Sequence, residues 1–544
     1  MRKTVGVLML GVILFTGCAI LTFLLAFGVP LFFGAFLAGL GLVIPLLVGY
    51  LAPDPPHRTR RLFITVALVP LAVISGLLIL LSGPVRAWQL GSGSMLLALI
   101  YTAVSVPVIL TGAGLRRQAD RHPWLRWGLR SVAIVVMAGT LAFGLYLRGL
   151  GLLPFAYGSR LEAYERLWAN LEHFYVYWAS SPVTPQELKA RYRPRIEAAD
   201  LACRGKLGTC RAYQDELRNM LAELQDGHTH LQPKGVLVTP PVTVEPIEGQ
   251  AVITWVEPGS EAEAAGLVPG MIITTVNELS VEPALNRVPA WAVAYAAPHT
   301  RRYYAYYNLL AGLPNETVHV GVESYDGKRQ TVVLHRKGRS TDASPAVRGQ
   351  RRADGLAYIT VAGLAGQDTV AIFDQLLDGM FDAPGLILDL RGNGGGNSAL
   401  GDQMVSRLIT QTVIYGRECY RASHPMHSGT TGCTSIDVGS RGRPYLRRVA
   451  VLIDNQVHSS GEWMAAALCD TGRARCFGRT TAGDSGNPVF FFMPDVTVQF
   501  STGIFSRNNG VLLNGVGIAP HVEIEWTLED VRQGRDPDLE AARA

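Results

Sequence analysis

A serine pair stands where an apolar run gives way to an alanine-rich stretch: Val449, Val451, Leu452 and Ile453 lead into VHSSGEWMAAAL (457–468). The β-branched run predicts a buried strand, and the residues from about Gly461 predict a helix. A helix start presents unpaired N–H groups and the positive end of its dipole. A hydroxyl held there at Ser459 can attack a carbonyl while neighbouring amides hold the oxyanion. Taken alone, Ser459 and Ser460 read equally as a helix cap, a position serines often fill.

Two further segments carry groups that such chemistry needs. The loop DLRGNGGGN (389–397) follows a predicted strand at Leu386–Leu390, and its three consecutive glycines let backbone amides come close to a ligand. A phosphate cradle is excluded there, because neither GxxxxGK[ST] nor GxGxxG is present. The second segment is LQDGHTHL (224–231), with two imidazoles. An imidazole titrates near neutrality and suits proton transfer, so His228 is the candidate base. His230, two residues on, shares its face if the segment is extended.

DLRGNGGG (389–396), VHSSGEWMAAAL (457–468), LQDGHTHL (224–231) and NGVGIAPHVEI (514–524) fall in the order seen in the tail-specific, C-terminal-processing and tricorn-type serine peptidases. The chain resembles that family over roughly residues 160 to 526. The resemblance implies a helical bundle, a PDZ-like domain and a crotonase-like α/β core. It implies Ser459 as nucleophile, three residues before Glu462, and Ser460 N–H as one oxyanion donor. The Gly394–Gly396 loop, Gly395 foremost, is implied as the other donor.

The C-terminal-processing branch places a lysine base in the loop after the nucleophile's helix. Here GRTTAGDSG puts Asp484 at that position, so a Ser/Lys dyad is not expected. The tricorn-like branch uses a histidine, matched by His228. In that branch a serine precedes the base and a glutamate orients the serine; this chain has Gly227 and Asn514 instead. Asn514 can hold an imidazole through its amide oxygen, though it stabilises an imidazolium less than a carboxylate does, so the third member stays open. Asp226 and Glu462 are the other orienting candidates. The plainer alternatives are a turn begun by Asp226 and a helix N-terminus favoured by Glu462.

The elements that must position these groups come next. The 544 residues predict several domains, and a mean hydropathy of +0.20 with 17% charged residues is high for a wholly soluble chain. Residues 4–51 carry no charge, and apolar runs follow at about 62–83, 94–113 and 131–150. Five membrane spans are expected. Arg2, Lys3, Arg58, Arg60, Arg61 and the arginines from Arg116 to Arg130 would face the cytoplasm, which places the remainder outside it. Cys18, in LFTGCAI, faintly resembles a lipoprotein cleavage site, but the apolar run continues past it. The excess positive charge belongs to residues 1–150, so the net charge of +5 does not point to nucleic acid.

Beyond residue 150 the cysteines fall as near pairs: Cys203 with Cys210, Cys419 with Cys433, Cys469 with Cys476. Disulfides are expected, in preference to zinc, because CxxC knuckles and a histidine cluster are missing. Leu161, Tyr164, Leu167, Trp168, Leu171 and Tyr175 repeat at helical spacing. Residues 235–338 read as β-rich, and VEPGSEAEAAGLVPGMIITTVNELSV (256–281) resembles part of a PDZ domain. The tyrosine-rich stretch 285–312 has no evident role in such a domain.

The expected fold class is therefore multi-domain α/β: a membrane domain (1–150), a helical subdomain (151–233), a PDZ-like domain (234–338) and an α/β catalytic core (339–544). The expected function is a serine endopeptidase anchored in an inner (cytoplasmic) membrane of bacterial type, acting on proteins or peptides on the periplasmic side. Its expected partners are those substrates and the lipid bilayer, with no metal or cofactor. The rival is a peptide-binding protein that keeps the fold without turnover, suggested by Gly227 and Asn514. A transport role is disfavoured by the near absence of ionisable residues from the apolar runs.

Overall fold

The computed structural model describes residues 159–203, 210–232, 237–338, 345–422, 432–493 and 496–543, and all of them fall within one compact unit. Three helices come first: Arg160–Phe174, Pro185–Ala202 and Arg211–Ala222. The helical spacing is realised as a buried stripe of Tyr164, Leu167, Trp168 and Leu171. Thr184 and Glu187 form a reciprocal capping box at the second helix, with Pro185 at its first turn.

After the third helix the chain turns on Asp226, whose Oδ1 accepts the His228 N–H at 3.1 Å. The strand His230–Gln232 then pairs antiparallel with Thr497–Ser501, His230 opposite Gln499. This pairing fastens the His228 turn to a distant part of the chain.

Residues 237–338 form an antiparallel sheet in the order Val242–Ile247, Gln250–Val256, Ile272–Val276, Thr317–Glu323, Arg329–His335. Val244, Ile253, Ile273, Val320 and Leu334 fill its core. The tyrosine-rich stretch contributes the helix Pro298–Tyr307, and Tyr306 joins that core.

From Val347 onward a six-stranded sheet runs in the order Val522–Glu523, Arg475–Gly478, Arg448–Ile453, Gly385–Asp389, Ala357–Val361, Val347–Arg351. Every pairing is parallel except the last. The central strands are buried along nearly their whole length, which is why they read as continuous apolar runs. The helices Thr369–Gly379, Ser398–Val405 and Ser460–Cys469 contribute Phe373, Leu377, Met404 and Met464 to the core. The two central strands deliver the glycine loop and the serine pair side by side at their C-terminal ends, where open parallel sheets place ligands.

Arg391 in the glycine loop ties this region to the end of the chain, donating to Asp389 at 2.9 Å, Asp536 at 2.8 Å and Asp538 at 3.1 Å. The near pairs of cysteines form disulfides as expected: Cys203–Cys210, Cys419–Cys433 and Cys469–Cys476.

The membrane part of the expected fold class is corrected. Among the described residues no helix is long and apolar enough to cross a membrane. The longest one quoted above, Pro185–Ala202 with 18 residues, carries Lys189, Arg191, Arg193, Arg195 and Glu197 on its surface and could not enter hydrocarbon without stranding those charges. The five spans read between residues 4 and 150 lie outside the described residues. The architecture established is mixed sheets with helices, and the structure gives no support to multi-pass placement in an inner membrane.

Candidate active site

Ser459 ends the connection from the strand Arg448–Ile453 and caps the helix Ser460–Cys469. Its φ of 52° with ψ of −124° is a conformation that L residues avoid, costing roughly 1–3 kcal/mol. Several bonds hold it there. The Ser459 N–H donates to the Asp484 carbonyl at 3.0 Å and to Glu462 Oε2 at 3.2 Å. The His458 N–H donates to the Asn393 carbonyl at 2.9 Å. Asn393 is fully buried and joins the glycine loop to the serine turn.

Glu462 is the hub of this turn. Its carboxyl accepts from Thr481 Oγ1, from Gly483 N–H at 2.8 Å and from Asp484 N–H at 3.0 Å, besides Ser459. Burial pushes it up to about 8, against the pull of those donors. Glu462 therefore shapes the loop after the nucleophile's helix.

That loop presents Asp484, which sequence reasoning had considered only as a missing lysine. Its Oδ1 lies 3.1 Å from His228 Nδ1, and its Oδ2 lies 3.3 Å from His458 Nδ1. Burial would raise the Asp484 carboxyl, but the two imidazoles, His228 foremost, hold it well below the usual carboxylate range. Nearby Asp226 behaves oppositely: burial and then the charge of Asp484 push it up, while His228 and the Thr229 and Ser501 hydroxyls oppose. The environment thus separates two carboxylates into one ionised partner for the imidazole and one turn-former.

The other histidines are committed elsewhere. His458 Nε2 lies 3.0 Å from Tyr304 OH, so both its ring nitrogens are engaged. His230 Nδ1 lies 2.9 Å from the Gly227 carbonyl and its Nε2 lies 3.2 Å from Gln232. His228 is the imidazole beside the buried Asp484 carboxylate, at 3.1 Å through Nδ1. One residue joins the two: Asp484 meets His228 with its carboxylate and Ser459 with its carbonyl.

The sequence departures acquire physical reasons. A Cβ on Gly227 would lie 2.3 Å from Asp484 Oδ2 and 2.6 Å from the Tyr295 ring, so the serine of the tricorn-like pattern has no room here. Among the described residues no hydrogen bond joins Asn514 to His228, and the Asn514 side-chain oxygen is buried without a partner. The carboxylate beside His228 belongs to Asp484.

At the oxyanion position, a Cβ on Gly395 would lie 2.8 Å from Ser459 Cβ and 3.1 Å from Ser460 N, so the glycine loop abuts the nucleophile. The Gly395 N–H, however, is given to Asn393 Oδ1 at 2.8 Å. Among the described residues Ser460 N–H and Gly394 N–H donate no hydrogen bond. Ser460 Oγ donates to the Gly396 carbonyl at 2.8 Å and fixes the loop against the helix start.

Asp226, His228 and Asp484 bring oxygen and nitrogen atoms within 4.8 Å of one another, a donor set that could hold a metal ion. Each carboxylate already has neighbours: Asp226 accepts from the His228 N–H and Thr229 Oγ1, and the Asp484 oxygens lie 3.1 and 3.3 Å from two imidazoles.

Residues 355–524 match the family model for Peptidase family S41. An uncharacterized protein of Chlamydia muridarum is 35% identical over 97 residues, 16% of this chain and 15% of that protein. A protein of Chlamydia pneumoniae is 31% identical over 103 residues, 17% of this chain and 16% of its own length. The match thus spans about one sixth of these relatives. Among solved structures, mature CPAF complexed with lactacystin is similar with a TM-score of 0.55 at 14% identity, covering 71% of this chain and 97% of that chain. The photosystem II D1 C-terminal processing protease gives a TM-score of 0.44 at 19% identity, covering 71% of this chain and 97% of that one.

Asp484→Asn is expected to lower kcat by about 10³- to 10⁴-fold with KM little changed, because the amide can no longer balance an imidazolium. Steady-state kinetics check this, and a loss below tenfold contradicts the assignment. Glu462 gives a second expectation. Its folded value of about 8 lies above the ordinary 4.5, so its stabilising contribution is fully present below about 4.5 and is lost as pH rises toward 8. Denaturant titrations across that window are expected to show wild type losing a few kcal/mol relative to Glu462→Gln; parallel curves contradict it.

Proposed function

The chain belongs to peptidase family S41 over residues 355–524, and from that premise we propose that it is a serine endopeptidase acting on proteins or peptides. The observation that carries the reading is the contact of Asp484 with both partners, 3.1 Å to His228 Nδ1 and 3.0 Å to Ser459 N. Ser459 Oγ attacks the scissile carbonyl carbon while His228 Nε2 takes its proton. Ser460 N–H and an amide of the glycine loop, Gly394 foremost, stabilise the oxyanion. The carbon–nitrogen bond then breaks, and the imidazolium gives its proton to the departing amine. Water attacks the acyl-enzyme with His228 again as base, and Ser459 Oγ recovers its proton. Asp484 holds the imidazole by Nδ1 and offsets its charge in both halves.

In this reading residues 237–338 are a PDZ-like domain that admits substrate to the site, with strand addition at a sheet edge as the mode of peptide capture. The alternative of a binding protein without turnover rested on Gly227 and Asn514. Asp484 supplies the carboxylate that those positions lack, which favours the enzyme.

Purified wild type is expected to degrade an unstructured protein and to be labelled by a fluorophosphonate at Ser459. Ser459→Ala is expected to lose at least about 10³-fold in activity and all labelling. Activity of wild type is expected to fall on the acid side as His228 is protonated. Undiminished proteolysis by Ser459→Ala overturns the proposal.

A further inference from the structure

His458 and the tyrosines of residues 285–312 are not used by the reaction just described, yet they converge on its carboxylate. Burial pushes the Tyr304 phenol well above its usual range, so it keeps its proton. Its oxygen lies 3.0 Å from His458 Nε2, and His458 Nδ1 lies 3.3 Å from Asp484 Oδ2. Tyr295 stacks on Tyr304 with ring centroids 4.6 Å apart and lies 5.6 Å from the His458 ring. The same Tyr295 ring fills the space beside Gly227, next to the base.

The helix carrying Tyr304 also grips the loop that presents Asp484: Thr300 Oγ1 donates to the Ala482 carbonyl at 2.7 Å, and His299 Nε2 lies 2.8 Å from the Thr481 carbonyl. One short segment of residues 237–338 thus touches the carboxylate's loop, its second imidazole and the turn of the base.

We propose that Tyr304 and His458 are positioning residues that fix the catalytic carboxylate on His228, so that the seating of residues 285–308 against the core completes the active site. The inference rests on the reading of Ser459, His228 and Asp484 as the reacting set. Bridged to Tyr304, His458 gives Asp484 a second contact besides His228, and this fixes the orientation in which the carboxylate meets the base. The titratable groups in contact with His458 are Asp484 from the loop and Tyr295 and Tyr304 from the segment itself.

The test compares Tyr304→Phe, His458→Asn and His458→Ala with wild type in the full chain, reading kcat and KM from pH 5 to 9 alongside fluorophosphonate labelling rates. Tyr304→Phe is expected to lose about tenfold in kcat, the worth of one oriented hydrogen bond, with KM within about twofold. His458→Ala is expected to lose as much, and His458→Asn, which can still donate to Asp484, to recover most of the loss. Wild-type kcat in Tyr304→Phe, or equal loss in His458→Asn and His458→Ala, overturns the inference. The His458 pair decides the matter if Tyr304→Phe does not fold. A wild type that takes no fluorophosphonate points instead to failure of the catalytic reading beneath it.

Discussion

A buried carboxylate sandwiched between two imidazoles governs this molecule. Asp484 is almost wholly removed from water, where a lone negative charge is very costly. Its position is tolerable because one oxygen faces His228 and the other His458. The same arrangement that makes the charge bearable orients the base, so the stability and the chemistry of the site rest on one interaction. The glycine at position 227 is a consequence, since any side chain there would displace the carboxylate.

Around that pair the fold supplies rigidity where the nucleophile needs it. The strained backbone at Ser459 persists because Glu462, the Asp484 carbonyl and the Asn393 bridge determine its position from three sides. Parallel strands bring the glycine loop and the serine turn together from below, and the strand His230–Gln232 brings the base from the side by pairing with Thr497–Ser501. Helix, sheet and loop each contribute one constraint, and the site lies where they intersect.

Much of this was legible in the chain. Apolar runs read as parallel strands because burial on both faces removes alternation, and the stripe from Tyr164 to Leu171 read as a helix because one face is buried. The near pairs of cysteines read as disulfides because each pair is close enough in sequence to meet. Motif order brought Ser459, His228 and the glycine loop forward as candidates. Asp484 was seen but judged against a lysine, since nothing local tells a carboxylate which distant imidazole it will meet. Asn514 stayed open as the third member for the same reason. The tyrosine-rich stretch could not be interpreted, because its contacts with His458 and the 480–485 loop are purely tertiary. The membrane domain was inferred from hydropathy alone, a signal that identifies apolar runs without locating the described fold.

The most direct measurement of the central claim is a crystal structure of the chain with a fluorophosphonate bound covalently at Ser459. The account predicts His228 with Nδ1 on Asp484 and Nε2 toward Ser459 Oγ, and the phosphoryl oxygen within hydrogen-bond distance of Ser460 N–H. An adduct in which the His228 ring has left Asp484, or in which another side chain faces Ser459 Oγ in its place, contradicts it.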